Sequence, residues 1–323
     1  MRKFITGTFK TLLVLLLLLL VTIALIGFTA DTDLRIPEDF VGEYHDIAGL
    51  KLRVWQQGQG QDVLLIHGLP GSIEDWDPIN DKLAETYRVT VYDRPGHGFS
   101  ELDKDRANLA GNVAVAFAVI EQLQLQNVIL VGHSYGGSII AQMASQNPEN
   151  VAGYVSVAGA VTTTEPTDPI YHGLVIPILG AGLSIIGNEL IGEPMMKEGL
   201  TKSFHPNPLP DDYIPRRKAM WLSTKNAQAM AFEEVNLAGD LRRIPLTQIK
   251  QPFAILQGAD DGGVVIKNAE MLKRAIPHAT LKVLPETGHF IHFVHPQQVI
   301  KAVHQIANSK APTTALGYFH PRL

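Results

Sequence analysis

The sequence predicts an α/β domain with a mostly parallel central sheet, interrupted by a helical insertion and preceded by a transmembrane helix. Three patterns carry this reading. From about residue 41, short apolar runs alternate with stretches of helical periodicity, as in strands joined by crossover helices. That alternation breaks between residues 162 and 240 and then resumes. Residues 11–30 contain no charged side chain.

The apolar segment comes first in the chain. Twenty helical residues span about 30 Å, the thickness of a bilayer's hydrocarbon core. Arg2, Lys3 and Lys10 precede the segment, and Asp31 and Asp33 follow it. Positive charge on the N-terminal side keeps that end in the cytoplasm and sends the remainder across the membrane. The alternative is a secretory signal whose cleavage leaves a secreted chain. Cleavage after Ala30 would set Phe28 three residues before the cut, where a small residue is wanted. Residues 1–30 therefore read as an N-terminal membrane anchor or uncleaved signal.

Strands are expected at residues 51–57 and 62–66, with a turn at Gly58 and Gly60 between them. A helix over 72–86 opens on Ser72 and Asp75, which resemble a capping box. A strand at 88–92 and a helix over 107–123 follow. Residues 127–131 form a near-continuous apolar run, which suits a strand buried on both faces. A helix over 135–146 stops before Pro148, and residues 151–158 form another strand. Residues 162–240 are rich in Pro and Gly, carry Met195, Met196, Met220 and Trp221, and show no strand. Strands at 252–257 and 279–284 and helices over 264–275 and 296–306 complete the pattern. The core is thus expected over 31–161 and 241–308, the insertion over 162–240, and a loose tail over 309–323.

Composition narrows the function classes. Apolar residues make up 46% of the chain and charged residues 18%, so a sizeable core is expected rather than disorder. The net charge is -5 and Lys and Arg form no long runs, which argues against a nucleic-acid partner. The chain has no cysteine, which excludes disulfides, thiolate metal sites and a cysteine nucleophile. No Walker loop, dinucleotide fingerprint or metal-ligand spacing is present, so no cofactor and no metal are expected.

Gly132-His133-Ser134-Tyr135-Gly136 fits G-x-S-x-G and lies between an apolar strand and a helix, the context this motif requires. The turn is so tight that the residues two before and two after the serine must be nearly free of side chain. A serine hydroxyl needs a base to act as nucleophile. Of twelve histidines, His289 follows a strand by a short loop and precedes a helix, at the carboxyl edge of the sheet. His292 and His295 read as surface or helix-start residues. The imidazole in turn needs an acceptor. Asp261, in the loop after strand 252–257, is the first choice because its loop must reach back toward the histidine; Asp260 is the alternative. An oxyanion hole needs two backbone N–H groups. Tyr135 is expected to supply one and Leu69, in the loop His67-Gly68-Leu69-Pro70, the other, since Pro70 has none. Asp93 and His97 in Asp93-Arg94-Pro95-Gly96-His97-Gly98 read as structural, a turn with a buried Asp–Arg pair.

These landmarks, with Gly137, the Gly258–Asp261 loop and Gly288-His289-Phe290, resemble those of the α/β-hydrolase fold superfamily, in its serine hydrolase branch with a helical cap. The resemblance spans about residues 41–306. It implies an eight-stranded sheet, a catalytic triad, and a cap over the site formed by the insertion. Ser134 stands where epoxide hydrolases and haloalkane dehalogenases of this fold carry aspartate. One departure, Gly262-Gly263 after Asp261 where the family often has proline a little further on, would loosen the acid's loop. The leading expectation is hydrolysis of a carboxylic ester, a small-molecule substrate, through an acyl-enzyme. The apolar, Met-bearing insertion suggests an apolar substrate. A carbon–carbon bond hydrolase, an acyltransferase, and a non-catalytic membrane-tethered binding protein are the alternatives.

Overall fold

The computed structural model describes residues 2–30, 34–38, 40–163 and 166–309. Asp31, Asp33, the side chains of Arg2 and Lys3, and all but the first residue of the expected tail lie outside the described residues. Eight strands form one sheet in the order β1-β2-β4-β3-β5-β6-β7-β8. They are β1 (Glu43–Ile47), β2 (Leu50–Gln57), β3 (Asp62–Ile66), β4 (Arg88–Tyr92), β5 (Val128–His133), β6 (Val151–Val157), β7 (Phe253–Gly258) and β8 (Thr280–Leu284). β1 pairs antiparallel with β2, and β2 antiparallel with β4; the remaining pairs are parallel.

The helices are α1 (Arg2–Thr29), α2 (Asn80–Ala84), α3 (Leu109–Gln122), α4 (Tyr135–Ser145), α5 (Pro169–Leu174), α6 (Leu179–Gly187), α7 (Glu193–Phe204), α8 (Tyr213–Trp221), α9 (Thr224–Leu241), α10 (Lys267–Ala275), α11 (Ile291–Val294) and α12 (Pro296–Ala307). α5 to α9 all lie between β6 and β7, and a π-helical turn, Asn188–Gly192, joins α6 to α7. Among the described residues, one helical stretch, Thr8–Thr29, is long and apolar enough to cross a membrane.

The central strands β3 and β5 are buried along their whole length, because helices cover both faces of the sheet. One core layer packs Val115, Val119, Ile139, Ile140 and Met143 against one face; the other packs Trp76, Leu83, Val299 and Val303 against the opposite face. Helix starts follow their capping residues. Asn108 accepts from Gly111 N at α3, Ser223 from Asn226 N at α9, and Asp168 from Ile170 N ahead of Pro169 at α5.

Two local expectations change. The helix expected over 72–86 divides into a 3₁₀ turn, Ile73–Trp76, and the short α2. Pro78 lies between them and cannot donate a helical hydrogen bond. The turn keeps part of the anticipated cap, with Ser72 N donating to Asp75 Oδ2 at 3.2 Å. β1 was not anticipated. As a sheet edge it buries only Ile47 of its five residues fully, so it lacks the apolar run of a central strand.

Candidate active site

Ser134 sits between β5 and α4 with φ 54° and ψ −117°, a conformation that costs a non-glycine residue about 1–3 kcal/mol. The surroundings hold it there. Its N–H donates to Val157 O at 3.0 Å, and its carbonyl accepts from Gly137 N at 2.9 Å and Ala160 N at 3.0 Å. The flanking glycines are sterically required. A Cβ on Gly132 would stand 2.5 Å from the Gly136 carbonyl carbon, and one on Gly136 2.8 Å from His67 O. The loop after β3 approaches closely as well, since a Cβ on Gly68 would lie 2.9 Å from Ser134 Cβ.

Asp261 follows β7 and is buried, whereas Asp260 is exposed. Asp261 Oδ2 lies 2.7 Å from His289 Nδ1. A carboxylate can only accept, so Nδ1 is the donor in this bond and Nε2 is the nitrogen left to act as a base. The other oxygen, Oδ1, accepts from Gly263 N at 2.9 Å and Val264 N at 2.8 Å. The expectation that Gly262-Gly263 loosens this loop is therefore corrected: the turn after Asp261 supplies two N–H groups that fix the carboxylate. His289 is held through its backbone, its N–H donating to Ser203 O of α7 at 2.8 Å. Its carbonyl accepts from His133 Nε2 at 3.1 Å.

Ser134, His289 and Leu69 all line one cavity of about 670 Å³. Its walls are largely apolar and come mostly from α5 to α8, including Leu174, Leu183, Ile186 and Met196. The expected site residues thus meet at one place, the carboxyl edge of the sheet beneath the inserted helices. The ring of Tyr135 is buried, with the Arg94 guanidinium 4.8 Å from its centroid. What Tyr135 offers the site is its backbone N–H at the first turn of α4, where helical N–H groups lack intrahelical partners.

Around this centre stands a buried polar network whose partners are distant in sequence. Glu233 of α9 pairs with Arg94, accepts from Asn112 Nδ2 at 2.7 Å, and meets His97 Nε2 at 3.0 Å. Burial alone would raise the Glu233 carboxyl, but Arg94 and His97 bring it down to about 2. Arg94 Nη2 donates to Gly68 O at 2.8 Å, and Arg94 N donates to His67 Nε2 at 2.9 Å. The loop bearing Leu69 is therefore tied to α9 through Arg94. The anticipated Asp–Arg pair is corrected in its partners. Asp93 pairs with Arg53 at 3.3 Å, because Arg94 turns the other way to Glu233. A second buried pair, Arg217 to Asp75 at 2.9 Å, ties α8 to the 3₁₀ turn.

His292, expected near the surface, is fully buried, with its ring 4.4 Å from that of His133 and 4.9 Å from that of Trp76. Burial, with the nearby His289 and Arg217, pushes it down to about 3, so it is uncharged at neutral pH. Its place on the inner side of α11, facing the core beside Trp76, overrides the polar reading of the residue. Glu233 and Arg217 carried no sequence signal beyond a charge on a helix of the insertion.

A family model described as the α/β hydrolase fold matches residues 63–296. The chain is 28% identical over 252 residues to a pimeloyl-[acyl-carrier protein] methyl ester esterase of Aliivibrio salmonicida, covering 78% of this chain and 94% of that protein. Among solved structures, an esterase from Exiguobacterium antarcticum is similar at TM-score 0.68 and 23% identity, covering 83% of this chain and 100% of its own. A membrane phospholipase A, described as a bacterial virulence factor, is similar at TM-score 0.64 and 20% identity, covering 96% of this chain and 100% of its own. Both structural likenesses are likenesses of fold.

Proposed function

The chain belongs to the α/β-hydrolase fold family and is a hydrolase; from that premise we propose that it cleaves carboxylic esters with an apolar acyl part by a serine mechanism. In this reading His289 Nε2 takes the proton of Ser134 Oγ as that oxygen attacks the ester carbonyl. Asp261 holds the histidine tautomer and steadies the imidazolium. The N–H groups of Leu69 and Tyr135 bind the oxyanion. The alcohol leaves with the proton from His289, and water, activated by the same histidine, then releases the acid.

The observation that carries the reading is the Asp261–His289 hydrogen bond, 2.7 Å long, beside a cavity that also exposes the strained Ser134. The apolar walls under the inserted helices support an apolar acyl group, and those helices are read as a cap. The length, composition and N-terminal position of α1 support its role as a single-pass anchor, with the catalytic domain across the membrane from the N-terminus. The structural likeness to a membrane phospholipase A is in keeping with lipid esters as substrates.

The test is hydrolysis of p-nitrophenyl esters of increasing acyl length by the full chain in detergent, beside the Ser134→Ala variant. Turnover that rises with chain length and vanishes in the variant is expected. A folded protein that turns over no ester, or a variant as active as the parent, overturns the mechanism.

A further inference from the structure

The end of α1 nearest the catalytic domain does not stand clear of it. Leu12 to Leu19 are each 47–60% exposed, whereas Ile23 is 9% exposed. The partner there is α6, and the crossing is made by glycines. A Cβ on Gly27 would lie 2.6 Å from Gly182 N, and one on Gly182 would fall on the Ile23 carbonyl oxygen. Close crossings at small residues are how helices pack inside membranes.

The charge-free stretch of α1 is residues 11–29, about 28 Å of helix. A bilayer's hydrocarbon core needs all of it. The turns around Ile23 and Gly27 therefore lie inside the hydrocarbon region, and α6, packed on them, lies at the same depth.

The residues around α6 suit that depth. Residues 169–188 include no Asp, Glu, Lys or Arg. Ile176, Ile178 and Leu190, which flank α6, are 44%, 81% and 74% exposed. Ile178 has φ 71°, a left-handed conformation that is an outlier for a β-branched residue, yet its side chain stands almost free. The turn before α6 also satisfies much of its own backbone, as lipid demands. Val175, Ile176, Leu179 and Gly180 donate their N–H groups within residues 171–180, and Pro177 has none to donate.

We propose that α6 and its flanks form a bilayer-docking surface, with Ile178 sunk into the leaflet that α1 leaves and Leu190, beside the exposed Glu189, at the headgroup edge. The proposal rests on reading α1 as a membrane anchor. The inner sides of the same helices line the cavity at Leu174, Leu183 and Ile186. An acyl ester embedded in that leaflet thus meets an apolar wall that runs from lipid to Ser134.

The chain has no cysteine, so single cysteines can be introduced for labelling. Full chains carrying Leu17→Cys, Ile178→Cys, Leu190→Cys or Lys301→Cys are labelled with bimane and reconstituted in phosphatidylcholine vesicles. Doxyl groups at acyl positions 5 and 12 then quench by depth. Probes at 17, 178 and 190 are expected to be quenched at least about twofold more than the probe at 301, which is exposed on α12. Quenching at 17 with 178 and 190 no more quenched than 301 leaves the anchor standing and overturns the docking surface. No quenching at 17 overturns the anchor reading and the docking surface with it. A kinetic arm gives a second readout. Ile178→Asp with Leu190→Asp is expected to slow hydrolysis of long-chain esters in vesicles about tenfold or more, since an ionised carboxylate resists entry into hydrocarbon. Hydrolysis of a water-soluble short ester should be unchanged. Equal loss on both substrates, or on neither, refutes the proposal.

Discussion

Replacing Glu233 by glutamine tests whether the buried network beside the site holds both the fold and the site. Glu233 and Arg94 are both fully buried and paired, and the carboxylate also meets Asn112 and His97. Glu233→Gln keeps the shape but removes the charge, leaving the Arg94 guanidinium without a counter-ion. Breaking one partner of such a pair costs about 3–5 kcal/mol, because the other charge stays buried. For a domain of this size each kcal/mol lowers Tm by roughly 2–4 °C, so a fall of roughly 6 °C or more is expected. The assay is thermal unfolding of the full chain in detergent, followed by near-ultraviolet circular dichroism at neutral pH.

The pH dependence supplies a signature that a packing defect would lack. The Glu233 carboxyl is lowered to about 2 in the folded chain, from an ordinary value of 4.5. A depressed carboxyl stabilises above its unfolded value and loses that contribution as pH falls toward its folded value. The gap between parent and variant should therefore be full above about pH 5 and shrink between about pH 4.5 and 2. Turnover should fall too, because Arg94 Nη2 holds Gly68 O next to Leu69. A loss of about tenfold in kcat on a short ester is expected, with KM little changed. A stability loss under about 1 kcal/mol, or a gap that does not depend on pH, refutes the argument.

Other substitutions probe separate parts of the site. Asp261→Asn places an amide beside His289 Nδ1 and favours the wrong tautomer; kcat should fall by about 10⁴-fold, whereas Asp260→Asn, at an exposed position, should change it little. Gly136→Ala drives a Cβ against the backbone of Ile66 and His67; circular dichroism should report a chain destabilised by roughly 3 kcal/mol or more, and one as stable as the parent would refute the steric argument. Burial, helped by the Glu233 charge, raises the Glu234 carboxyl to about 7. A raised carboxyl penalises folding once ionised, so stability falls as pH rises from about 4.5 through 7. Glu234→Gln should then raise stability by about 1–2 kcal/mol at pH 8 and hardly at all at pH 4, as denaturant titration can show.

What could be read in the sequence was what depends on neighbours along the chain. β3 and β5 are continuous apolar runs because helices bury both faces, and they were located within a residue or two. The strand–turn–helix around Ser134 declares itself because Gly132 and Gly136 have no room for a Cβ. β1 and the break at Pro78 were not legible. An edge strand needs no apolar run, and a capping pair at Ser72 and Asp75 begins a 3₁₀ turn as well as it begins a helix.

The supporting shell escaped for a related reason. Arg94 and Glu233 are 139 residues apart, and Asp75 and Arg217 are 142 apart. Nothing local marks one charge as the partner of another. Yet these pairs determine which part of the insertion is fixed. They tie α8 and α9 to the core through buried charges. α5 and α6 carry no Asp, Glu, Lys or Arg and cannot be tied that way. They pack on each other and on α9 instead, Asn188 Nδ2 at the end of α6 donates to Leu222 O at 2.7 Å, and α6 also crosses α1 at glycines. One part of the wall over the cavity, α6, therefore packs on the N-terminal helix as well as on α5 and α9. A chain made without residues 1–30 would uncover Gly182 and leave α6 with α5 and α9 as its helical partners. If α1 helps to set the cavity, the truncated chain should lose activity on long-chain esters more than on short ones, with Ser134, Asp261 and His289 undisturbed; equal activity on both would show that α5 and α9 suffice to hold α6.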